Sequence, residues 1–271
     1  MQSVSLYAFA IVWSIITLVP LIFVLISSVK RNEDIFYEKM FRLPSVLKFD
    51  NYAAAMTKAN MGNALFNSLF ITSVSTLLLI IIASMAAFVL SRYAFKWNNL
   101  VYFYFIIGFM IPIHSTIVPL LRLVSSFNGQ NSYVTMILLY VSFQLSISIF
   151  MITGFMREIS KEIDEAAKID GCGPVRLLFQ IIMPLSAPIL STTAIVVFLY
   201  IYNDLIFSVI FLSKEEMYTI TLAMMAFVGR QSVEYGPIFA CIIISIIPLL
   251  TIYLLLQEKV IGGLSAGAVK G

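Results

Sequence analysis

Residues 157–184 read REISKEIDEAAKIDGCGPVRLLFQIIMP, and this stretch differs from its surroundings in charge. It holds nine charged residues, although the 271-residue chain contains only 17 Lys and Arg and 14 Asp and Glu. Uncharged apolar runs precede and follow it, and a helix of about 20 such residues spans the hydrocarbon core of a bilayer. The stretch therefore lies outside the bilayer, between two membrane-spanning segments.

The composition of the whole chain excludes an ordinary soluble domain. Hydrophobic residues make up 61% and charged residues 11%, whereas soluble domains contain about 25% charged residues. The lipid bilayer is therefore a partner, and no basic run indicates binding to nucleic acid. The two cysteines, Cys172 and Cys241, form no C-x-x-C motif, so we expect two free thiols.

The uncharged runs predict an all-α membrane protein in which residues 1–271 form a single transmembrane domain. The six predicted spans cover about residues 6–28, 66–90, 100–120, 133–153, 185–210 and 237–256. An even number of spans places both termini on one side of the membrane. The distribution of Lys and Arg does not indicate which side, because the two sides hold eight and nine of them.

The charged stretch, residues 157–184, is predicted to form a helix, a turn and a second helix, and we call it the elbow. Ser160 is a suitable N-cap, and Glu162, Asp164 and Glu165 follow in the first turns, where the helix dipole favours carboxylates. The first helix has an apolar face made of Ile159, Ile163, Ala166 and Ala167.

The turn and the second helix have signals of their own. Gly171 is placed to end the first helix in a left-handed conformation, and Pro174 is placed to begin the second. The apolar residues of that helix are Leu177, Leu178, Ile181 and Ile182. Pro184 and Pro188 are expected to interrupt the chain where it enters the fifth span. A solvated loop would explain the charges, whereas this order of cap, small pair, glycine and proline favours a docking surface.

The segment EAAKIDG followed by F-x-x-I-x-x-P resembles the EAA loop of permease subunits in binding-protein-dependent ABC importers. The matching positions are Glu165, Ala166, Ala167, Gly171, Ile181 or Ile182, and Pro184, with Met183 where leucine is usual. Further segments resemble the carbohydrate-uptake branch, in particular the second maltose-type permease. These segments are KRNEDIF, DNYAAA, FNSLFIT, SRYAF, YND and the final GGLSAGAVKG, and YND has tyrosine where tryptophan is usual.

The resemblance implies a type I importer subunit in a bacterial plasma membrane, with both termini and the elbow in the cytoplasm. The implied partners are a homologous second permease, an ATPase dimer, an extracellular sugar-binding protein and a sugar, with a di- or oligosaccharide the expected class. The residues implied in coupling to the ATPase are Glu165, Ala166, Ala167, Asp170, Gly171, Ile182 and Pro184. Contact between the tail, about residues 258–271, and the ATPase is implied for Gly267, Val269 and Lys270.

The chain lacks the motifs of an ATPase or a metalloenzyme. It has no G-x-x-x-x-G-K-[ST] loop to hold nucleotide phosphates. Its one histidine, His114, lies in a proline-broken helix and cannot form an H-E-x-x-H zinc site. We therefore expect no catalytic residue, metal or cofactor in this chain, with ATP and Mg²⁺ bound by the partner ATPase subunits.

Polar residues near the end of the fifth predicted span are candidates for the substrate path. Asn203 and Asp204 could hydrogen-bond sugar hydroxyls, with Tyr202 beside them. A structural polar contact between spans explains them equally well. The glycine-rich tail has no periodicity and is predicted to be extended.

Three other classes of protein remain as alternatives. The first is a self-sufficient secondary carrier or channel; carriers often have internal repeats and charged residues near the midplane, whereas this chain has only six predicted spans and one buried acid. A membrane-embedded enzyme would need an acid–base pair or a metal set. A permease for amino acids, peptides or ions would share the elbow but not the carbohydrate-type loop and tail.

Overall fold

Helices account for the regular structure of the chain. The computed structural model describes the backbone of residues 2–37 and 41–268, and the side chains of residues 6–36, 41–251 and 254. Within these residues the one β feature is an isolated bridge between Val228 and Val233. The prediction of an all-α protein is confirmed for this part of the chain.

In chain order the α-helices are α1 (Gln2–Ser27), α2 (Asn32–Tyr37), α3 (Asp50–Thr57), α4 (Met61–Arg92), α5 (Asn98–Met110), α6 (Ile113–Ser126), α7 (Tyr133–Glu158), α8 (Glu162–Ile169), α9 (Pro174–Arg176), α10 (Met183–Leu185), α11 (Ala187–Tyr202), α12 (Ile206–Phe211), α13 (Ile220–Ala223) and α14 (Tyr235–Ala268). A π-helical segment, Leu177–Ile182, joins α9 to α10, and 3₁₀ turns lie at Glu215–Met217 and Met224–Phe227.

Three helices are long and apolar enough to cross a bilayer unbroken, namely α1, α4 and α7. Two further spans are possible if each of two bent pairs of helices counts as one, which gives up to five among the described residues. The apolar part of α14 among the described residues, Tyr235–Thr251, is shorter than a full span. Six spans therefore remain a prediction.

The third and fifth predicted spans are not continuous helices, which corrects the prediction. Helices α5 and α6 meet at a bend of 95°. Ile111 is extended there with ψ 119°, because the following Pro112 disfavours helical backbone in the residue before it. The broken helix expected around His114 is thus confirmed. In the fifth span, α11 ends at Tyr202 and the helix resumes only at Ile206.

The chain divides into two units, and residues 1–67 with 215–252 form the first. Asn51 organises this unit, because its side-chain amide donates to the carbonyl oxygens of Ser28 at 2.8 Å and Lys30 at 2.9 Å. A Cβ atom on Gly236 would lie 2.6 Å from Asn51 Nδ2, so only glycine allows this approach. Asn32 adds bonds to Val233 O and Tyr235 N. The segments KRNEDIF and DNYAAA thus supply structural anchors.

Residues 68–214 with 253–271 form the second unit, which contains the elbow. Its buried apolar core joins residues of α4 and α7 to residues of the elbow. The members are Ala83, Ala87, Phe88, Leu90, Ile149, Ile152, Met156, Ala167, Leu177, Leu178 and Ile182. Helices α5 and α7 also approach closely, since a Cβ on Gly108 would lie 2.7 Å from Ser146 Oγ. The elbow is therefore packed against membrane-spanning helices of its own unit.

Candidate docking site

The first helix of the elbow, α8, begins at Glu162 and has an acidic first turn. The Ser160 hydroxyl accepts a hydrogen bond from Glu162 N at 3.2 Å, so Ser160 satisfies one of the free N–H groups at this end. Glu162, Asp164 and Glu165 all lie in the first turn. The predicted charge pattern is confirmed, whereas the N-cap is Lys161, one residue later than the predicted Ser160.

Gly171 ends α8 in the left-handed conformation that was predicted, with φ +74°. Cys172 N donates to Ala167 O at 2.9 Å, and Gly171 N donates to Lys168 O at 3.0 Å. These two bonds form a Schellman motif, which satisfies the last carbonyl groups of the helix. A Cβ on Gly171 would meet no atom within 4 Å. Glycine is thus favoured by its backbone conformation rather than by lack of space.

The second half of the elbow begins at Pro174 and contains the π-helical segment. Pro174 occupies the first helical position, as predicted. Met183 N donates to Leu178 O, five residues back, which widens the helix just before Pro184. The bend of 79° into α11 comes at the break between Leu185 and Ala187. Pro184 therefore lies at the start of α10, inside the elbow, and the interruption follows it.

The inner surface of the elbow is apolar. Leu177 and Leu178 are nearly fully buried, and Ile182 is completely buried, as predicted for this face. Ala167 is also buried, at 6% exposure. The interpretation of Ala167 as part of a close-approach docking surface is therefore corrected, because it packs into the unit's own core with Ile182.

The outer surface of the elbow combines charge with large exposed apolar side chains. Glu165, Ala166 and Asp170 are exposed. Ile169 is 86% exposed and Val175 is 70% exposed, one on each side of the glycine turn. Sequence reasoning missed both, although Ile169 is out of phase with the apolar face of α8. The outer surface of the elbow therefore carries two exposed large apolar side chains beside its charged residues.

An ion pair connects the elbow to the end of α4. Arg92 Nε lies 3.4 Å from Asp164 Oδ2, and Arg92 Nη1 donates to Ile159 O at 2.8 Å. The side chains are 2% and 10% exposed. Arg92 belongs to the SRYAF segment, for which the sequence analysis predicted no structural or functional role.

The candidate path residues after α11 have different surroundings. Tyr202 is buried, whereas Asn203 is exposed and donates to Leu199 O at 2.8 Å. Asp204 Oδ2 accepts hydrogen bonds from Tyr140 OH at 2.9 Å and from Phe207 N at 3.0 Å. Asp204 thus caps the start of α12 and ties it to α7. A sugar contact at these residues stays a prediction.

The tail residues fall at the edge of the described chain. Gly267 lies in α14, which continues to Ala268. The prediction of an extended tail is therefore wrong for residues 262–268. Val269 and Lys270 lie outside the described residues.

Comparison with known proteins gives the family. Residues 79–261 match the binding-protein-dependent transport system inner membrane component family. The chain is 35% identical over 254 residues to the melibiose/raffinose/stachyose import permease protein MelC of Bacillus subtilis, covering 93% of this chain and 91% of that protein. It is 33% identical over 266 residues to the diacetylchitobiose uptake system permease protein NgcG of Streptomyces coelicolor, covering 97% and 88% respectively.

A solved structure shares the fold. A chain of a bacterial ABC transporter involved in the import of the acidic polysaccharide alginate superposes with a TM-score of 0.79 at 16% sequence identity. The superposition covers 94% of this chain and 95% of that one. The chain therefore belongs to the family of binding-protein-dependent transport system inner membrane components and has the type I ABC permease fold.

Proposed function

We propose that this chain is the transmembrane subunit of an ATP-driven importer for a sugar, with a di- or oligosaccharide the expected class. The names of MelC and NgcG support the sugar class, because both relatives match this chain over more than nine-tenths of its length. The observation that carries the proposal is the elbow, which has a buried apolar inner face and an exposed outer face.

The proposed complex contains a homologous second permease, an ATPase dimer and an extracellular sugar-binding protein. This chain supplies six spans and half of the translocation path, with both termini and the elbow on the cytoplasmic side. It binds no cofactor, and ATP and Mg²⁺ bind to the ATPase subunits. Val269 and Lys270, with Gly267, contribute a second contact to those subunits.

The elbow transmits the movement of the ATPase subunits to the spans. Ile169 follows Ala166 by three residues and Glu165 by four, which places the three side chains on one side of α8, and a groove on the ATPase accepts this side. When the ATPase subunits close on ATP, the two elbows of the permease pair move with them. The spans then change from inward-open to outward-open, and the sugar enters from its binding protein.

Of the three candidate path residues, Asn203 is the one proposed to contact the sugar. Its side chain is exposed, whereas Tyr202 is buried and Asp204 holds the start of α12. Tyr202 and Asp204 therefore support the path without facing it.

The test is ATP hydrolysis by the importer purified through an N-terminal tag on this chain and reconstituted in lipid with its binding protein. A panel of mono-, di- and oligosaccharides, amino acids and peptides is added in turn. We expect stimulation of ATP hydrolysis by a sugar. Stimulation only by an amino acid or peptide would replace the sugar by another solute, and uptake without any co-purifying ATPase would favour a secondary carrier.

A further inference from the structure

One guanidinium group connects three elements at the base of the elbow. Arg92 is the last residue of α4, and its Nη1 donates to the carbonyl of Ile159, which directly follows α7. Its Nε faces Asp164 in the first turn of α8 at 3.4 Å. A displacement of α8 relative to the end of α4 therefore changes the distance between the Asp164 carboxylate and the Arg92 guanidinium.

This ion pair takes no part in the docking surface. Its side chains are 2% and 10% exposed, whereas Glu165 and Ile169, which follow Asp164 on α8, are exposed. Asp164 therefore points towards α4 while the adjacent residue points outward. A partner that docks on the outer surface does not touch the pair.

A contribution to folding stability does not by itself explain why this chain has a buried ion pair between Arg92 and Asp164. Replacing a buried ion pair by apolar residues of similar volume is often neutral or stabilising, because the charges lose their hydration. Here Arg92 Nε, Arg92 Nη2 and Asp164 Oδ1 also have no hydrogen-bond partner among the described atoms, so the contact between the two side chains is an ion pair without a hydrogen bond. Ala167 already belongs to the same buried apolar core as α4 residues such as Phe88 and Leu90. Apolar contacts tolerate sliding, whereas the attraction between Arg92 and Asp164 depends on their distance, and the hydrogen bond from Arg92 Nη1 to Ile159 O also depends on direction.

We propose that Arg92 and Asp164 are positioning residues for coupling, which fix α8 to the end of α4 so that movement of the elbow reaches the spans. This inference rests on the proposed function, since it assumes that an ATPase moves the elbow. It assigns to the SRYAF segment a mechanical role that does not involve contact with ATPase or sugar.

The experiment compares five versions of the importer, each purified from its source cells through an N-terminal tag on this chain and reconstituted in lipid vesicles. The versions are wild type, Arg92→Lys, Asp164→Asn, the apolar double variant Arg92→Met with Asp164→Leu, and a control. The control is Lys58→Ala with Glu234→Ala, which removes an ion pair whose side chains are about half exposed. Three quantities are measured: ATPase co-purified per permease, the melting temperature, and sugar molecules taken up per ATP hydrolysed.

The double variant distinguishes the effect of the ion pair on the position of α8 from its effect on the stability of the protein. We expect it to keep its melting temperature and its bound ATPase, and to take up at least about tenfold less sugar per ATP, on the scale of coupling energies between contacting residues. Arg92→Lys keeps the charge and is expected to retain most of the coupling. Asp164→Asn leaves a buried cation unpaired and is expected to lose both coupling and stability. The Lys58/Glu234 control is expected to match wild type.

Two results would overturn the inference. One is wild-type uptake per ATP in the double variant, because the pair would then only fill space. The other is an equal loss in the Lys58/Glu234 control, because the effect would then be non-specific. Failure of the proposed function looks different, since wild type itself would then co-purify no ATPase or hydrolyse ATP without sugar uptake.

Discussion

At the residue scale, Gly171 is the position where backbone conformation matters most for the elbow. Its φ of +74° suits glycine, and β-branched residues are strongly disfavoured there. The same chain places Asn60, Asn128 and Asn131 at φ values of 46°, 55° and 53°, so asparagine is tolerated in this region. Valine and asparagine therefore test the conformation without a steric clash, because a Cβ at Gly171 meets no atom within 4 Å.

We expect Gly171→Val to insert into the membrane normally but to lower sugar uptake per ATP, because the left-handed turn costs a residue other than glycine about 1–2 kcal/mol. Gly171→Asn is the matched control and should retain most of the uptake. Both are measured in vesicles containing equal amounts of importer. If valine couples as well as asparagine, the shape of this turn is not needed for coupling.

The exposed side chains of Ile169 and Val175 give a second residue-scale prediction. Ile169→Asp and Val175→Asp should each weaken ATPase binding to the permease by about 2 kcal/mol or more, roughly thirtyfold, as at a hot spot of an interface. The measurement is ATPase titration onto permease pairs in lipid nanodiscs. Leu43→Asp, at a side chain that is also 70% exposed but far along the chain from the elbow, is the control and should bind normally. Unchanged binding of both elbow variants would exclude these residues from the interface.

At the scale of elements, the start of α12 depends on one carboxylate. Asp204→Ala removes the acceptor for Phe207 N and Tyr140 OH and should destabilise the unit by about 1–2 kcal/mol. Asp204→Asn keeps an acceptor oxygen and should have a smaller effect. The melting temperature in detergent and the sugar concentration for half-maximal ATP hydrolysis are both measured. A large change in that concentration with an unchanged melting temperature would instead indicate direct sugar contact.

The elements of the elbow could be predicted to different degrees. Local chemistry determines the helix start near Ser160, the turn at Gly171 and the second start at Pro174, and each needs only neighbouring residues. Whether a side chain faces the core or the solvent depends on packing with residues that are distant in the sequence. Ala167 was therefore assigned to the wrong surface, and the contact of Arg92 with Asp164, 72 positions later in the chain, was not seen.

The membrane spans were also predicted only in part, because some of their features depend on packing with distant residues. Hydropathy located the three runs that form the unbroken helices α1, α4 and α7, because it needs only composition over about 20 residues. The nearby prolines indicated the two breaks, at Pro112 and between Leu185 and Ala187, but not their angles of 95° and 79°. Helix breaks at membrane depth are possible only where other protein groups satisfy the backbone, and that depends on packing.

At the scale of the whole molecule, the two native cysteines test orientation without any engineered residue. Cys172 lies on the elbow and is partly exposed, whereas Cys241 is buried. A membrane-impermeant maleimide should label the protein in inside-out vesicles stripped of peripheral subunits, and not in right-side-out vesicles. Cys172→Ser should abolish the signal, which shows that Cys241 does not contribute. Labelling in right-side-out vesicles would reverse the proposed topology and separate the elbow from a cytoplasmic ATPase.

The approach of Gly236 to Asn51 has a consequence for how this protein can diverge. A methyl group at position 236 would occupy the place of the Asn51 amide, and without that amide the carbonyl groups of Ser28 and Lys30 lose their donors. Neither position can therefore mutate alone without penalty. Descendants of this chain should keep both residues or exchange both together. The two sites, 185 positions apart in the sequence, should therefore covary.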